Sequence, residues 1–547
     1  MCGIFAYFSI LKLDDQTKNE LESYSNKIQH RGPDMTRKNF ILNNSAMLVF
    51  HRLSIVDRSD NAMQPFYNQN CYSICNGEIY NYRFLENVYD LNVTSQSDCE
   101  VIIPLIKKIG VENACKILDG VFAFVMIDDN GDIIIARDPF GVRSLYIGIN
   151  NGVLCISSEL KGIPSGFNVK PFSPGTYSVY RKKNNEYIEI DQKRFYEHKY
   201  NINNKIETRE QISFNISCLL EKAVQKRLIG DRKIGCLLSG GLDSSIIASL
   251  LCKTYQTKKR KLKTFSVGLK DSVDLHYARI VADYLKTDHT ELILSEEDML
   301  NAISDNIYHI ESYDITTVRA STPMMLLCKY IKNNTDIAVI FSGEGSDEAS
   351  GSYMYFHNAP DVQSFHQETE KLLSELHRFD VLRADKSASA AGLEIRVPFL
   401  DKQFIEYYMS IDPSLKIPYK NIEKLLLRES FENILPSKIV WRVKEGMSDG
   451  VSSQTKSWFS IIQDYCNKEV DPDTYKKYDR MDPPYPPNLE ALYFRNIFEK
   501  HYPSLSHVIP HYWLPKWSGN TTEPSARTLD VYKDNSISSD NKICCTS

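Results

Sequence analysis

Ser239-Gly240-Gly241-Leu242-Asp243-Ser244-Ser245 follows an apolar run at 234–238 and opens a segment of helical texture at 244–253. Strand, glycine turn and helix in that order are the start of a parallel α/β unit. Two glycines permit a tight turn that exposes backbone N–H groups. Three serines add hydroxyl donors, and the helix N-terminus adds partial positive charge. Asp243 can hold Mg²⁺, a hard cation that prefers carboxylates and substrate phosphates. These residues together make a pyrophosphate cradle. A glycine-serine loop with a capping aspartate is the plainer alternative, and the strand before and helix after weigh against it.

The rest of the rear half agrees with this unit. A helix over 211–228 leads into the strand, and further strands at 264–267, 290–294 and 337–341 are separated by helical segments. Two of them end in polar loops, Ser266-Val267-Gly268 and Phe341-Ser342-Gly343-Glu344-Gly345-Ser346-Asp347-Glu348. Ligands of open α/β sheets bind beyond the carboxyl ends of the strands. That rule collects Leu238 through Ser245, Val267 and Ser342 through Asp347 around one pocket, where Asp243, Glu344 and Asp347 form a carboxylate group suited to Mg²⁺. From about 355 to 515 the chain is mainly helical, broken by loops such as Asp482-Pro483-Pro484-Tyr485-Pro486-Pro487. Arg383, Lys386 and the run Arg442-Val443-Lys444-Glu445 are dense in charge. Phosphate neutralisation and ordinary surface ion pairing both account for them.

The front half has a different texture. Short apolar runs at 46–50, 72–75, 121–127, 133–136 and 154–157 predict an antiparallel sheet, with a hairpin at Asp129-Asn130-Gly131-Asp132 and a helix over 98–109. The polar, Asn-rich stretch 199–209 marks a linker. The expected division is a front domain at 2–195, a linker at 196–210, a rear domain at 211–517 and a loose polar tail at 518–547. The fold class is thus a two-domain α/β protein.

Cys2 stands beside the initiator methionine. Removal of Met1 would leave a thiol and an α-amine on one residue. Their reference pKa values, about 8.5 and about 7.7–8.0, let the amine take the thiol proton near neutrality. Such a nucleophile carries its own base, although a chance cysteine after the start is the simpler account of two residues. A mature chain beginning at Cys2 would exclude a transit peptide.

Among 547 residues, 42% are hydrophobic and 25% charged, which suits large cores, and the net charge is −5. That balance gives no support to nucleic-acid or membrane-surface binding. No apolar run approaches a membrane span, and no signal-peptide core follows the start. The 13 cysteines are scattered. Cys71 and Cys75 have no second pair at zinc-site spacing, so free thiols in a reducing cytoplasm are expected. The terminal Cys544-Cys545-Thr546-Ser547 is a poor prenylation box.

The loop at 239–245 is similar to the SGGxDSS signature of the ATP pyrophosphatases; no lysine closes it as in a Walker loop. With Cys2-Gly3-Ile4 in front, the chain resembles the glutamine-dependent asparagine synthetases. The resemblance runs from Cys2 to Leu529. It takes in His30-Arg31-Gly32-Pro33-Asp34, Arg52-Leu53-Ser54-Ile55-Val56-Asp57, Asn76-Gly77-Glu78-Ile79-Tyr80-Asn81 and Arg137-Asp138-Pro139-Phe140-Gly141. It implies an Ntn-hydrolase αββα front domain of the class II glutamine amidotransferase type. There Cys2 would attack the glutamine amide, with the Asn76 side chain and Gly77 N–H as oxyanion hole. Arg52, Leu53, Ser54, Ile55 and Val56 would line the glutamine site. Arg52 would grip the α-carboxylate, and Glu78 and Asp98 the α-ammonium. The rear domain would adenylate L-aspartate with ATP and Mg²⁺. Leu238, Ser239, Gly240, Gly241, Asp243, Ser244, Ser245, Val267, Ser342, Gly343 and Lys444 would hold the nucleotide. Asp243 and Asp347 would meet the metal through phosphates, and Glu344 would act at intermediate formation. Channelled ammonia would then displace AMP. A homodimer is compatible with the sequence. Ala349-Ser350-Gly351-Ser352 departs from the family's usual Val-Phe-Gly-Gly, and Ala391 replaces a bulkier residue.

Overall fold

A computed structural model describes residues 1–203, 207–257, 260–420, 422–453, 455–471, 481–519 and 521–530. Two compact units emerge. One comprises residues 1–197 with 229–233 and 388–394; the other comprises 198–228, 234–387 and the chain from 395 onward.

The first unit is built on two six-stranded antiparallel sheets. Its strands are β1 (Gly3–Phe8), β2 (Met35–Ile41), β3 (Ala46–Arg52), β4 (Phe66–Asn68), β5 (Cys71–Ile79), β6 (Gly120–Ile127), β7 (Ile133–Arg137), β8 (Tyr146–Asn150), β9 (Val153–Ser157), β10 (Asn168–Pro171), β11 (Thr176–Lys183) and β12 (Glu186–Arg194). The orders are β10-β8-β9-β1-β3-β2 and β12-β11-β7-β6-β5-β4. Alternation along β6 shows how the layers form. Ala123, Val125 and Ile127 join Ile4, Ala6 and Phe50 in a core between the sheets. Phe122, Phe124 and Met126 point the other way and are covered by Leu85, Ile102 and Ile106. These come from helices α2 (Tyr82–Tyr89) and α3 (Ile102–Ile109), while α1 (Asp15–Asn26) offers its Ser25 carbonyl to His51 of the other sheet at 2.9 Å. This is an αββα sandwich. The Asp129–Asp132 turn joins β6 to β7, whose ends pair Ile127 with Ile133. The predicted helix at 98–109 is split, because Asp98–Val101 is a 3-10 turn that leads into α3.

The second unit holds a five-stranded sheet of β13 (Lys233–Leu237), β14 (Lys263–Leu269), β15 (Asp288–Leu294), β16 (Ile337–Phe341) and β17 (Glu394–Arg396), in the order β15-β14-β13-β16-β17. β13, β14 and β15 are parallel. The chain adds β14 and β15 on one side of β13, then β16 on the other, so the switch point lies between β13 and β16. That is where open α/β sheets bind ligands.

Two sequence expectations need correction. The linker expected at 196–210 is partly built into this unit: Tyr200 N–H donates to Glu370 at 2.9 Å, Asn203 N–H to the Ser410 carbonyl at 2.7 Å, and Thr208 caps the helix Arg209–Lys226 through a capping box with Gln211. Residues 204–206 lie outside those described. The tail expected at 518–547 is anchored over 521–530, where Glu523, Ser525 and Arg527 all pair with the body. Polar composition concealed this because the anchors are themselves charges and hydroxyls. Cys544 and Cys545 lie outside the described residues.

Candidate active sites

Cys2 sits at the start of β1, partly buried, and its Sγ donates to the Leu53 carbonyl at 3.7 Å. Burial pushes the thiol up to about 11, against the opposing pull of the neighbouring ammonium. The Met1 ammonium donates to the Leu393 carbonyl at 3.2 Å, and burial drives it down to about 5. With Met1 attached, the nitrogen of Cys2 is an amide and has no basicity to offer.

Asn76 and Gly77 lie on β5. Asn76 is 1% exposed, and neither its amide nitrogen nor its amide oxygen has a hydrogen-bond partner among the described residues. An unpaired buried polar group costs about 1–3 kcal/mol, so this amide points to a ligand. A Cβ on Gly77 would lie 2.4 Å from the Val121 carbonyl oxygen, so strand pairing with β6 demands glycine there. Glu78, next on β5, and Asp98 are both buried, and Asp98 accepts the Ile79 N–H at 2.6 Å.

Arg52 ends β3. Its Nη1 donates to the Ser59 carbonyl at 2.7 Å and its Nη2 to the Asp57 carbonyl. Asp34 accepts the Ser54 N–H at 2.9 Å, and the Ile55 carbonyl accepts Asp231 N–H at 2.8 Å. The loop carrying Leu53, Ser54, Ile55 and Val56 is therefore braced from three directions beside the Cys2 thiol.

The second site is a cleft at the β13/β16 switch point. Leu238, Ser239, Gly241, Asp243, Ser244, Val267, Ser342, Gly343, Glu344, Asp347 and Lys444 all line it. Gly240 and Ser245 do not. Gly240 has φ +71°, and a Cβ there would lie 2.3 Å from the Ala278 nitrogen; Ser245 turns back to the Gly241 carbonyl at 2.7 Å. Both shape the loop rather than present a ligand surface. A Cβ on Gly343 would lie 2.9 Å from the Asp243 Cβ and from the Ser244 nitrogen. The loops after β13 and β16 therefore touch, and the two motifs form one cradle.

The expected carboxylate trio is divided. Lys424 Nζ lies 2.5 Å from Asp243 Oδ2 and 2.6 Å from Asp347 Oδ1, and Lys444 Nζ takes the other Asp347 oxygen. Burial alone would raise the Asp347 carboxyl, but the two ammonium groups outweigh it and hold it well below the usual range. Glu344 instead forms a two-pronged pair with Arg383 at 2.9 and 2.8 Å, and Arg383 also reaches Asp380 at 2.7 Å. Burial keeps the Glu344 carboxyl above its ordinary value despite that guanidinium. No three metal-ligating side chains converge among the described residues. Asp243 and Asp347 do converge on one cation, Lys424, and two carboxylates plus substrate phosphates are a usual Mg²⁺ environment.

Sequence reasoning missed Lys424, since nothing near Glu423 distinguishes this lysine. It left Arg383 and Arg442 undecided. Arg442 stacks over the Tyr277 ring at 4.1 Å and donates to Asp274 at 2.8 Å. The departure at 349–352 is absorbed locally: Gly351 has φ +59° with no room for a Cβ against Phe365, and Ser352 donates to Asp347.

Fold and sites define an enzyme in which a class II glutamine amidotransferase precedes an ATP-using α/β unit. Comparison with known proteins agrees: a glutamine amidotransferase domain model matches residues 1–200, and an asparagine synthase model matches 215–369 and 359–523. The proteins named asparagine synthetase (glutamine-hydrolyzing) of Gallus gallus, Mus musculus and Homo sapiens are 44%, 42% and 42% identical to it, each over 97% of this chain and 99% of the relative. The chain belongs to the glutamine-hydrolysing asparagine synthetase family.

Proposed function

We propose that this protein makes L-asparagine from L-aspartate, with L-glutamine as nitrogen donor and ATP as activator. A carboxylate does not react with ammonia unaided, so the side-chain carboxylate first attacks the α-phosphorus of ATP. The products are β-aspartyl-AMP and pyrophosphate. In the front unit, Cys2 of the mature chain attacks the glutamine side-chain carbonyl and expels ammonia, and water then frees glutamate. Asn76 and the Gly77 N–H stabilise the oxyanion, a donor effect worth about 2.7–4 kcal/mol in comparable sites. Arg52 with residues 53–56, Glu78 and Asp98 bind the glutamine. Ammonia passes within the molecule to β-aspartyl-AMP and displaces AMP.

In the rear unit Ser239, Gly241 and Ser244 cradle pyrophosphate, Leu238, Val267, Ser342 and Gly343 hold the rest of the nucleotide, and Lys444 neutralises the reacting phosphate. Gly240 and Ser245 set the shape of that cradle. Glu344 acts at intermediate formation through its pairing with Arg383. Asp243 and Asp347 would hold Mg²⁺, which supplies charge neutralisation to the phosphates. We place the enzyme in the cytoplasm, supported by free thiols at every described cysteine. No described helix is long and apolar enough to cross a membrane.

One observation carries the reading: a thiol held at the Leu53 carbonyl and a buried Asn76 amide with no partner among the described residues share a chain with a two-loop cradle at a sheet switch point. The test supplies aspartate, glutamine and MgATP and measures asparagine and AMP together. Turnover with another acid but not with aspartate would overturn the substrate assignment.

A further inference from the structure

Lys444 belongs to a stretch, 442–453, that is tied to the body on both sides of the lysine. Arg442 pairs with Asp274, the Val451 carbonyl accepts the Leu269 N–H at 2.8 Å, and the Ser452 carbonyl accepts the Val273 N–H at 3.3 Å. Its outer side is covered by residues 523–528. Arg527 directs Nε and Nη2 to the Glu445 carboxylate at 3.4 and 3.5 Å and gives Nη1 to the Ser453 carbonyl at 2.8 Å. Ser525 Oγ donates to Asp449 at 2.7 Å. Glu523 is itself fixed, accepting from Arg319 at 2.6 and 3.0 Å and from Gln463 at 2.7 Å. Arg319 is 1% exposed, donates to Glu490 at 2.8 and 2.5 Å, and lies on the helix Ile315–Asn334, whose Thr316, Thr317 and Ala320 line the cleft.

These contacts are not a solvated surface. The Arg527 and Glu445 side chains are 8% and 5% exposed. Glu445 directly follows Lys444, and its carbonyl accepts a bond from Lys444 Nζ at 3.1 Å, so a shift of Glu445 moves the lysine. We propose that residues 523–528 form a strap that positions Lys444 for adenylation, with Arg527 as a positioning residue acting through Glu445. This rests on the function proposed above. It assigns a role to a segment whose composition gives no sign of one.

The test measures ammonia-dependent asparagine synthesis and glutamine hydrolysis separately in full-length wild type, Arg527→Ala, Arg527→Lys, Glu445→Gln and the Arg527→Ala/Glu445→Gln double variant. Arg527→Ala should lower kcat for synthesis at least tenfold, change the aspartate KM less than threefold and leave glutamine hydrolysis within twofold of wild type. Arg527→Lys should recover part of the loss. The double variant should be no worse than the poorer single variant, because both changes break one link. Additive losses, or synthesis undiminished in Arg527→Ala, would overturn the strap. So would equal loss of both activities, which is the mark of general unfolding. Absence of ammonia-dependent synthesis in wild type would instead sink the proposed function, so the two failures are distinct.

Discussion

Lys424 Nζ lies 2.5 Å from Asp243 Oδ2, joining the loop after β13 to a lysine 181 positions later in the chain. The same nitrogen reaches Asp347, whose second oxygen binds Lys444. The two lysines differ in burial: the Lys424 side chain is 2% exposed and that of Lys444 is 17%. They should therefore separate stability from turnover. Breaking a buried pair leaves an uncompensated charge and costs about 3–5 kcal/mol. Lys424→Met should lower the melting temperature of the ligand-free protein clearly more than Lys444→Met. Lys444→Met should cut pyrophosphate release with aspartate and ammonium by two orders of magnitude or more while the fold holds. A larger melting shift for Lys444→Met would reverse this division.

Asn76→Ala offers a sharper contrast in the front unit. An oxyanion donor removed costs about 2.7–4 kcal/mol of transition-state stabilisation, or roughly a hundred- to a thousandfold in kcat. The same change removes a buried amide that has no partner among the described residues. Stability should stay level or rise slightly, where most core substitutions lower it. Thermal melts beside glutaminase rates decide this; a large melting loss would make Asn76 a structural residue.

The α-amine of Cys2 can act as a base only when Met1 is gone. An uncleavable N-terminal extension should abolish glutamine hydrolysis and leave ammonia-dependent synthesis intact, as should Cys2→Ala. Mass spectrometry of the active enzyme should show a chain that starts at Cys2. Glutamine hydrolysis by a homogeneous Met1-bearing chain would remove the amine from the mechanism.

Local chemistry explains which parts of this fold could be read in advance. The Asp129–Asp132 turn and the alternation along β6 are encoded within a few residues, and so is the glycine turn at 239–241. β17 is not: its three residues form a strand because Ser342 N–H finds the Arg396 carbonyl at 3.0 Å, a long-range event. The switch point is equally invisible, since strand order is not a local property. Lys424 adopts φ +59°, in the left-handed region, with no glycine or asparagine to announce the turn. The glutamine-site residues came from resemblance to a family; that the buried Asn76 amide lacks a partner among the described residues depends on three-dimensional packing and is not encoded locally.

Asp449 supplies a pH test of the segment that holds Lys444. Its carboxyl is 2% exposed, and burial pushes it up to about 6, although Ser525 donates to it. Glu445 raises it as well, while Arg527 and Arg319 pull it down. In the unfolded chain the same group titrates near 3.9. Between about pH 4 and pH 6 the folded state therefore holds a proton that the unfolded state has lost. Stability must fall as pH rises through that window and level off above it, by about 2–3 kcal/mol for a two-unit difference. Asn has the same shape, still accepts from Ser525 and does not ionise. Asp449→Asn should thus melt several degrees above wild type at pH 8 and keep only about a third of that gain at pH 4.5. Melts across that range check the sign: a variant less stable than wild type at pH 8 would mean that Arg527 and Arg319 hold Asp449 as the anion.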